Sequence, residues 1–536
     1  MNAFAGTGRL ILLVLRRDRV LLLLWVGFTC LVPVVFVAAF TGAYPTAEAR
    51  QDYYETSVHT RAFTVAYGVL NGSGLGELVA WRSGFVTFMV GLFALLTVVR
   101  HTRAEEEAGR RELIGATAVS RHAGLAAPLI VTCGAGLVLG AASALALIGQ
   151  GLPAAGSLAL GLGFSLSVCV FGAIGAVTAQ LTTGAGAARG IGVTVLGAAL
   201  LLRGAGDVAA QSGSGPAWLS WLTPLGWAEA LRPYSGERWE VLALAAVAVI
   251  ALSALAVALS ARRDLGNGLF QARLGRAGAA PGLRSPLALA WRLHRGPLVS
   301  RTVGLAVVGF VVGAMSQSLG NLMDNGGAAA REALARLGGP GTLVEQFQAP
   351  MMTMLGLVCA GFAIQAALLL RNEERDGRAE PLLATPVNRL RWAAGHFGFA
   401  LLGPALGVLA FGASAGVAHG LNTGDVAREL PRLLTAALVQ LPVVWLFTGI
   451  AFALFGLRPR LVAGTFAVAM VSMLFGWVGG ELRLDRWVIN LSVFEHVPKL
   501  PGGDLTATPL LIMTAVAAAL TAAGLVGFGR RDLPVP

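Results

Sequence analysis

Arg103-Ala-Glu-Glu-Glu-Ala-Gly-Arg-Arg-Glu-Leu-Ile-Gly-Ala-Thr-Ala-Val-Ser-Arg121 returns 268 residues later as Arg371-Asn-Glu-Glu-Arg-Asp-Gly-Arg-Ala-Glu-Pro-Leu-Leu-Ala-Thr-Pro-Val-Asn-Arg389, with ten of nineteen positions identical. The same offset, half the chain, relates Arg262-Arg-Asp-Leu265 to Arg530-Arg-Asp-Leu533. One offset that serves two separate motifs marks an internal duplication. It predicts tandem halves at residues 1–265 and 287–536. Between them, 266–286 has linker composition, with Gly266, Gly268, Gly275, Gly278, Gly282, Pro281 and Pro286.

The surroundings of the repeat identify its solvent. The 536 residues are 56% hydrophobic and only 13% charged, and the mean hydropathy is +0.72. Those figures exclude an ordinary soluble enzyme, whose charged fraction is about 25%. Apolar runs long enough to cross a bilayer predict twelve helical spans, near 20–41, 82–100, 124–149, 158–181, 188–205 and 240–261, then 302–320, 349–370, 392–417, 433–456, 460–478 and 508–529. The first run follows Arg16, Arg17 and Arg19 as a signal peptide's would, but it is longer than such a segment and reads as a retained span. Seventy-one glycines suit close helix packing in lipid.

Of the 40 Lys and Arg residues, 27 fall on the side of this layout that holds the termini and the repeated segment. That side is expected to be cytoplasmic, with the protein in the cell membrane. Six spans per half is an even number, so the halves are expected to be parallel copies about an axis along the membrane normal, with a pathway between them. The fold class is therefore an all-α integral membrane protein. Leu10 to Arg19 and Leu287 to Arg301 interleave arginines with apolar residues, the composition of helices lying in the interface plane before each half's first span.

The repeated segment predicts a charged helix of about four turns over 103–116 and over 371–384. Glu106 and Arg110, like Glu374 and Arg378, stand i,i+4 with the acid first, a supporting orientation. Glu105 and Glu112 lie seven apart, on one helical face. Thr385-Pro386, and Thr117 in the first copy, read as the cap of a second helix. A solvated helix with internal ion pairs is the plain interpretation; recurrence at the same place in both halves favours a surface that meets a partner.

Glu373-Glu-Arg-Asp-Gly-Arg-Ala-Glu-Pro-Leu-Leu-Ala-Thr-Pro-Val387 resembles the acidic, Gly-centred cytoplasmic segment of ABC-2-type permeases, the membrane subunits of one class of ABC exporter. The first copy is a looser match. Two such halves in one chain resemble the fused permeases described as polyketide antibiotic (tetronasin-type) exporters of actinobacteria. Trp221-Leu-Thr-Pro-Leu-Gly-Trp227 is similar to that group's external segment, from which the second half departs at Trp487-Val-Ile-Asn-Leu-Ser-Val493. The resemblance implies a coupling helix in each half that docks on two copies of a separate ATPase subunit. It implies Glu105, Glu106, Gly109, Arg110, Glu112, Glu373, Glu374, Gly377, Arg378 and Glu380 as docking residues, and outward transport. Trp221, Pro224 and Trp227 read as an external gate or as part of an interfacial aromatic belt with Trp218 and Trp239.

Several absences sharpen this. The single lysine, Lys499, belongs to no G-x-x-x-x-G-K-[ST] loop, so the chain is expected to bind no cofactor itself, with ATP and Mg held by the partner, and to have no catalytic residues. The seven histidines are scattered, and Cys30, Cys133, Cys169 and Cys359 all fall in apolar runs, which leaves neither metal-ligand nor disulfide spacing. The expected basic balance of +12 serves topology rather than nucleic acid. A pathway without carboxylates favours a hydrophobic or amphiphilic small molecule. The rival reading is a proton-coupled multidrug transporter of major facilitator type, which needs an intramembrane ionisable group. The expected spans hold no interior acid, only Glu240 at an edge, and Arg203 and His396 near span ends are expected to snorkel.

Overall fold

An apolar run in hydrocarbon must satisfy its own backbone groups, and a helix does so within the segment. The computed structural model describes residues 4–531 other than 59–60, 214, 271–277, 279–280, 284, 325–334, 336–337, 376, 479–484, 486 and 488–489. Among these residues there is no strand, and eleven helices are long and apolar enough to cross a bilayer. They are α1 (Thr7–Ala43), α2 (Leu75–Glu107), α3 (Ala123–Gly149), α4 (Ala154–Leu181), α5 (Ala185–Ser212), α6 (Glu240–Ala261), α7 (Pro286–Ser316), α8 (Leu343–Arg375), α9 (Arg389–Thr423), α10 (Val426–Leu457) and, after the shorter α11 (Gly464–Val478), α12 (Ala507–Arg530).

Within the eleventh expected span, 460–478, the described residues form the helix Gly464–Val478. The two expected interfacial helices are corrected. No break separates Arg19 from Val20, and the amphipathic stretch forms the first turns of the 37-residue α1. In the same way one helix runs from Pro286 through Pro297 into α7. Val14 and Asp18 on α1 are buried while Leu12, Leu13 and Leu15 are exposed, so the stretch keeps its two faces without being a separate element.

Contacts divide the chain into two compact units, Met1–Leu274 with α1–α6 and Gly275–Pro536 with α7–α12. In the first, α4 is the central helix and packs against α2, α3, α5 and α6. Small residues set the approach: Gly140 of α3 and Gly161 of α4 face each other so closely that a Cβ on either would overlap the other's carbonyl. Beside them the Ser165 hydroxyl donates to the Gly136 carbonyl at 2.9 Å. In the second unit a Cβ on Gly456 of α10 would overlap the Gly524 carbonyl of α12, and one on Gly524 the Phe452 carbonyl. Its core holds Trp392, Phe447, Phe455 and Phe528, with Phe397 and Phe452 stacked at 3.7 Å between ring centres.

The segment between α1 and α2 is helical at Ala47–Val58 and Arg61–Tyr67. Tyr53, Phe63 and Tyr67 surround Trp81, whose indole N–H donates to the Gly68 carbonyl at 2.9 Å. Ala328 to Leu337, a stretch of the external segment whose sequence suits a short surface helix, lies almost wholly outside the described residues. All four cysteines are free.

Candidate functional site

Gly109 and Gly377 both adopt φ 70°. That left-handed conformation suits glycine and cannot continue a right-handed helix. Each expected four-turn helix is therefore an elbow. Arg103–Glu107 and Arg110–Gly115 flank Gly109, while α8 ends at Arg375 and Ala379–Leu383 follows Gly377. Breaking the helical period changes the partners. Arg110 bonds Glu105 through two nitrogens, at 2.6 and 2.9 Å, and Arg378 bonds Glu373 at 3.0 Å, each five residues apart. The expected i,i+4 pairing does not form. The Glu105 carboxylate holds the Arg110 guanidinium above its ordinary pKa.

Glu106 and Glu374 are turned inward. The Glu106 carboxylate accepts from both Arg263 nitrogens, at 2.6 and 2.9 Å, and from the Gly266 N–H at 2.7 Å, with Arg103 at 2.9 Å. Glu374 pairs with Arg531 at 2.8 Å, and the Arg531 guanidinium lies over the rings of Phe455 and Phe528. Arg263 and Arg531 are the second arginines of the repeated Arg-Arg-Asp-Leu motif, so in each unit one repeated motif is bonded to the other. A third contact recurs: Arg121 donates to the Arg263 carbonyl, and Arg389 to that of Arg531 at 3.1 Å.

The expected threonine caps are corrected. The hydroxyls of Thr117 and Thr385 donate back to Ile114 and Leu382, at 2.6 and 2.5 Å, and close the preceding short helix. A tight turn follows each, with Val119 and Val387 donating to the threonine carbonyls, and the next helix starts later. For α9 the cap is Asn388, whose Oδ1 accepts from Leu390 at 2.8 Å. The same Thr-Pro logic holds elsewhere: Thr223 accepts from Gly226 at 3.0 Å, with Pro224 opening the helix Pro224–Ala230.

Among the residues that the elbows leave at the surface are Glu112, Leu113, Glu380 and Pro381, with Leu113 75% exposed, beside the exposed Arg110 and Arg378. Two contacts escape any local reading of the sequence. Glu107 accepts from the first N–H of α5, at Ala185, at 2.8 Å, and Arg17 of α1 reaches Glu105 at 2.5 Å. A carboxylate at a helix start is favourable, but only the fold brings these elements together.

At the other end of the first unit, the Trp227 indole donates to the Trp221 carbonyl at 2.6 Å, and Arg238 lies over the Trp221 ring. This turn carries Glu229 onto Arg203, which also meets Asp207 at 3.7 Å and donates to the Val65 carbonyl. Arg203 is 2% exposed and His396, bonded to His294 at 3.0 Å, is 1% exposed, so neither snorkels. The helices outrun the expected spans, so that α1 holds Asp18 and α5 holds Asp207. Asp18 is paired with Arg100 and, at 2.5 Å, His101, while the Ser220 hydroxyl donates to Asp207 at 2.7 Å. Burial pushes the Glu229 carboxyl up to about 8. One cation and two carboxyls are electrically balanced when one carboxyl keeps its proton.

Among the described residues no cluster of three or more His, Cys, Asp or Glu is arranged to hold a metal ion. Lys499 faces Glu495 at 3.7 Å.

Two comparisons bear on the chain. The family model described as multidrug efflux system permease Rv1217c, C-terminal domain, matches residues 283–529. The multidrug efflux system permease protein Rv1217c of Mycobacterium tuberculosis (strain ATCC 25618 / H37Rv) is 41% identical over 534 residues, covering 99% of this chain and 96% of the relative.

Proposed function

Because the chain belongs to the family of the multidrug efflux system permease Rv1217c, we propose that it is a drug-efflux permease of the ABC-2 type, driven by ATP hydrolysed on separate subunits. The observation that carries this reading is the pair of clasped elbows. Each presents a short exposed acidic and apolar tip, while its base is fixed by a buried ion pair to the residues just after the last helix of its own unit. A surface held so firmly is suited to receive a push from a partner.

On this reading the chain is two tandem six-helix halves with both termini in the cytoplasm, in the cell membrane. Two ATPase copies dock on the elbows and hold the ATP and Mg. Glu112, Leu113, Glu380 and Pro381 make the contact. Glu105, Glu106, Arg110, Glu373, Glu374 and Arg378, with Gly109 and Gly377, shape and anchor it. The cargo is a hydrophobic or amphiphilic small molecule, polyketides included, moved outward. The chain does no bond-breaking chemistry of its own.

The major facilitator alternative is not favoured. Asp18 and Asp207 do lie within long helices, but both are held in contacts with basic groups of the chain.

The test is to purify the tagged chain from its host in mild detergent and reconstitute it in vesicles. A co-eluting Walker-motif ATPase at about two copies per chain, with drug transport that needs ATP, supports the proposal. Transport by the chain alone on a proton gradient would overturn it.

A further inference from the structure

A cavity of about 400 Å³ lies between the first turns of α1 and the helix Arg110–Gly115, and nothing in the proposed function uses it. Leu10, Leu13, Val14 and Ile114 form an apolar wall, and Arg111 and Arg121 face it. Among the described residues Arg111 makes no hydrogen bond and no ion pair, although burial draws its guanidinium below the usual pKa. Glu106, whose charge reaches it, is already bonded to Arg103 and Arg263. Arg121 donates only to backbone carbonyls, those of Ser260 and Arg263. Glu105 and Asp264 also line the space, but Glu105 is bonded to Arg17 and Arg110, and Asp264 is exposed at the rim.

Two guanidinium groups thus border one cavity with no carboxylate bonded to either. Arg111 is partly buried and Arg121 exposed, and two adjacent cations with no bonded carboxylate give the cavity a positive field that suits an anion. Gly124 makes the room, since a Cβ there would run into the Arg111 guanidinium. The position 268 residues beyond Arg111 is the buried Ala379, so the second unit has no such cation.

The wall indicates which anion. Leu13 both lines the cavity and is 52% exposed, so the space opens onto the face that α1 shows to lipid. The neighbouring Arg9, Arg16 and Arg19 stand among exposed leucines, the composition of a surface at headgroup depth. We propose that this cavity binds an anionic phospholipid, its phosphate between Arg111 and Arg121 and its acyl chains along Leu10, Leu13 and Val14. The proposal rests on the membrane placement of α1 but not on ATP coupling, and its assay contains no ATPase, so the two readings fail separately.

The experiment uses the full chain, stripped of lipid in neutral detergent, with tail-labelled phosphatidylglycerol and phosphatidylcholine as probes. Wild type is expected to bind phosphatidylglycerol about thirtyfold more tightly, the equivalent of about 2 kcal/mol from two arginines near an anionic lipid. Arg111→Gln should lose most of that preference. Gly124→Val keeps the charge but displaces the guanidinium, and should do the same. Inorganic phosphate at millimolar concentration should not displace the lipid. Equal affinity of wild type for the two lipids, or full retention of the preference in a folded Arg111→Gln, overturns the proposal. Displacement by inorganic phosphate also overturns it and assigns a free-phosphate site. Thermal unfolding in the same detergent establishes which variants are folded, and the wild-type preference decides the matter if neither is.

Discussion

Glu106 and Arg263, 157 residues apart, form a bidentate buried ion pair, and Glu374 and Arg531 pair across the same separation in the second unit. The two repeated motifs are therefore halves of one device. The acid is supplied by the elbow that ends the second helix, and the base by the residues just after the sixth.

Removing one side of such a pair strands the other charge. We expect Glu106→Ala to cost about 3–5 kcal/mol, with the double variant Glu106→Ala/Arg263→Ala costing less than the sum. Thermal unfolding in detergent micelles supplies the double-mutant cycle. Strict additivity would show that the pair does not anchor the elbow.

The exposed tip should behave differently. Leu113→Asp combined with Pro381→Asp changes no buried contact, so melting should stay within about 0.5 kcal/mol of wild type. Binding of the ATPase should weaken by about tenfold or more if these residues sit at the centre of the interface. Unaltered co-purification together with unaltered drug export would remove the tip from the mechanism.

The Arg203 cluster carries a pH dependence of definite sign. Burial raises the Glu229 carboxyl from 4.5 to about 8. The folded state then binds a proton that the unfolded chain has released between those values, so this group's stabilisation is fully present below about 4.5 and is lost as pH rises toward 8. Glu229→Gln mimics the protonated form and should flatten that slope, whereas Arg203→Gln should destabilise across the range. Melting curves from pH 5 to 8 compare the three proteins. A slope unchanged by Glu229→Gln would place the proton elsewhere.

Close helix approach gives a fourth expectation. Gly161→Val sets side-chain atoms against the Gly140 carbonyl and should cost at least about 1–3 kcal/mol through overpacking. Gly134, open on its own side of α3, should accept alanine with little effect. Equal melting temperatures for the two variants would contradict the packing.

The spans were legible because a long apolar run has few alternatives in lipid. The elbows were misread for a physical reason. Helical periodicity assigns Glu106 to Arg110, and it is blind to the sign of φ at Gly109, although a glycine inside a charged helix is itself a warning. The clasp was hidden differently, since both motifs were visible but nothing in the spacing says that residues 157 apart bond. Arg203 looked like a snorkelling end because the apolar run stops near 205, while the helix continues to Ser212. Its partner Glu229 arrives on a turn that hydropathy reads only as external.

The two elbows differ in how they are moored. Around Gly109, contacts run to Arg17 near the start of α1, to the first turn of α5 through Glu107, and to Arg263 beyond α6. Around Gly377 an ion pair runs to Arg531, Ala379 is buried in the apolar core with Leu383 and Val387 packed against it, and the position matching Glu107 is Arg375, which has the wrong charge to cap a helix start. A load on the first elbow passes through polar contacts into α1, α5 and the residues after α6, whereas one on the second passes into Arg531 and the apolar core of its unit. The duplicated chain thus moors one arm chiefly by charge and its copy partly by apolar packing.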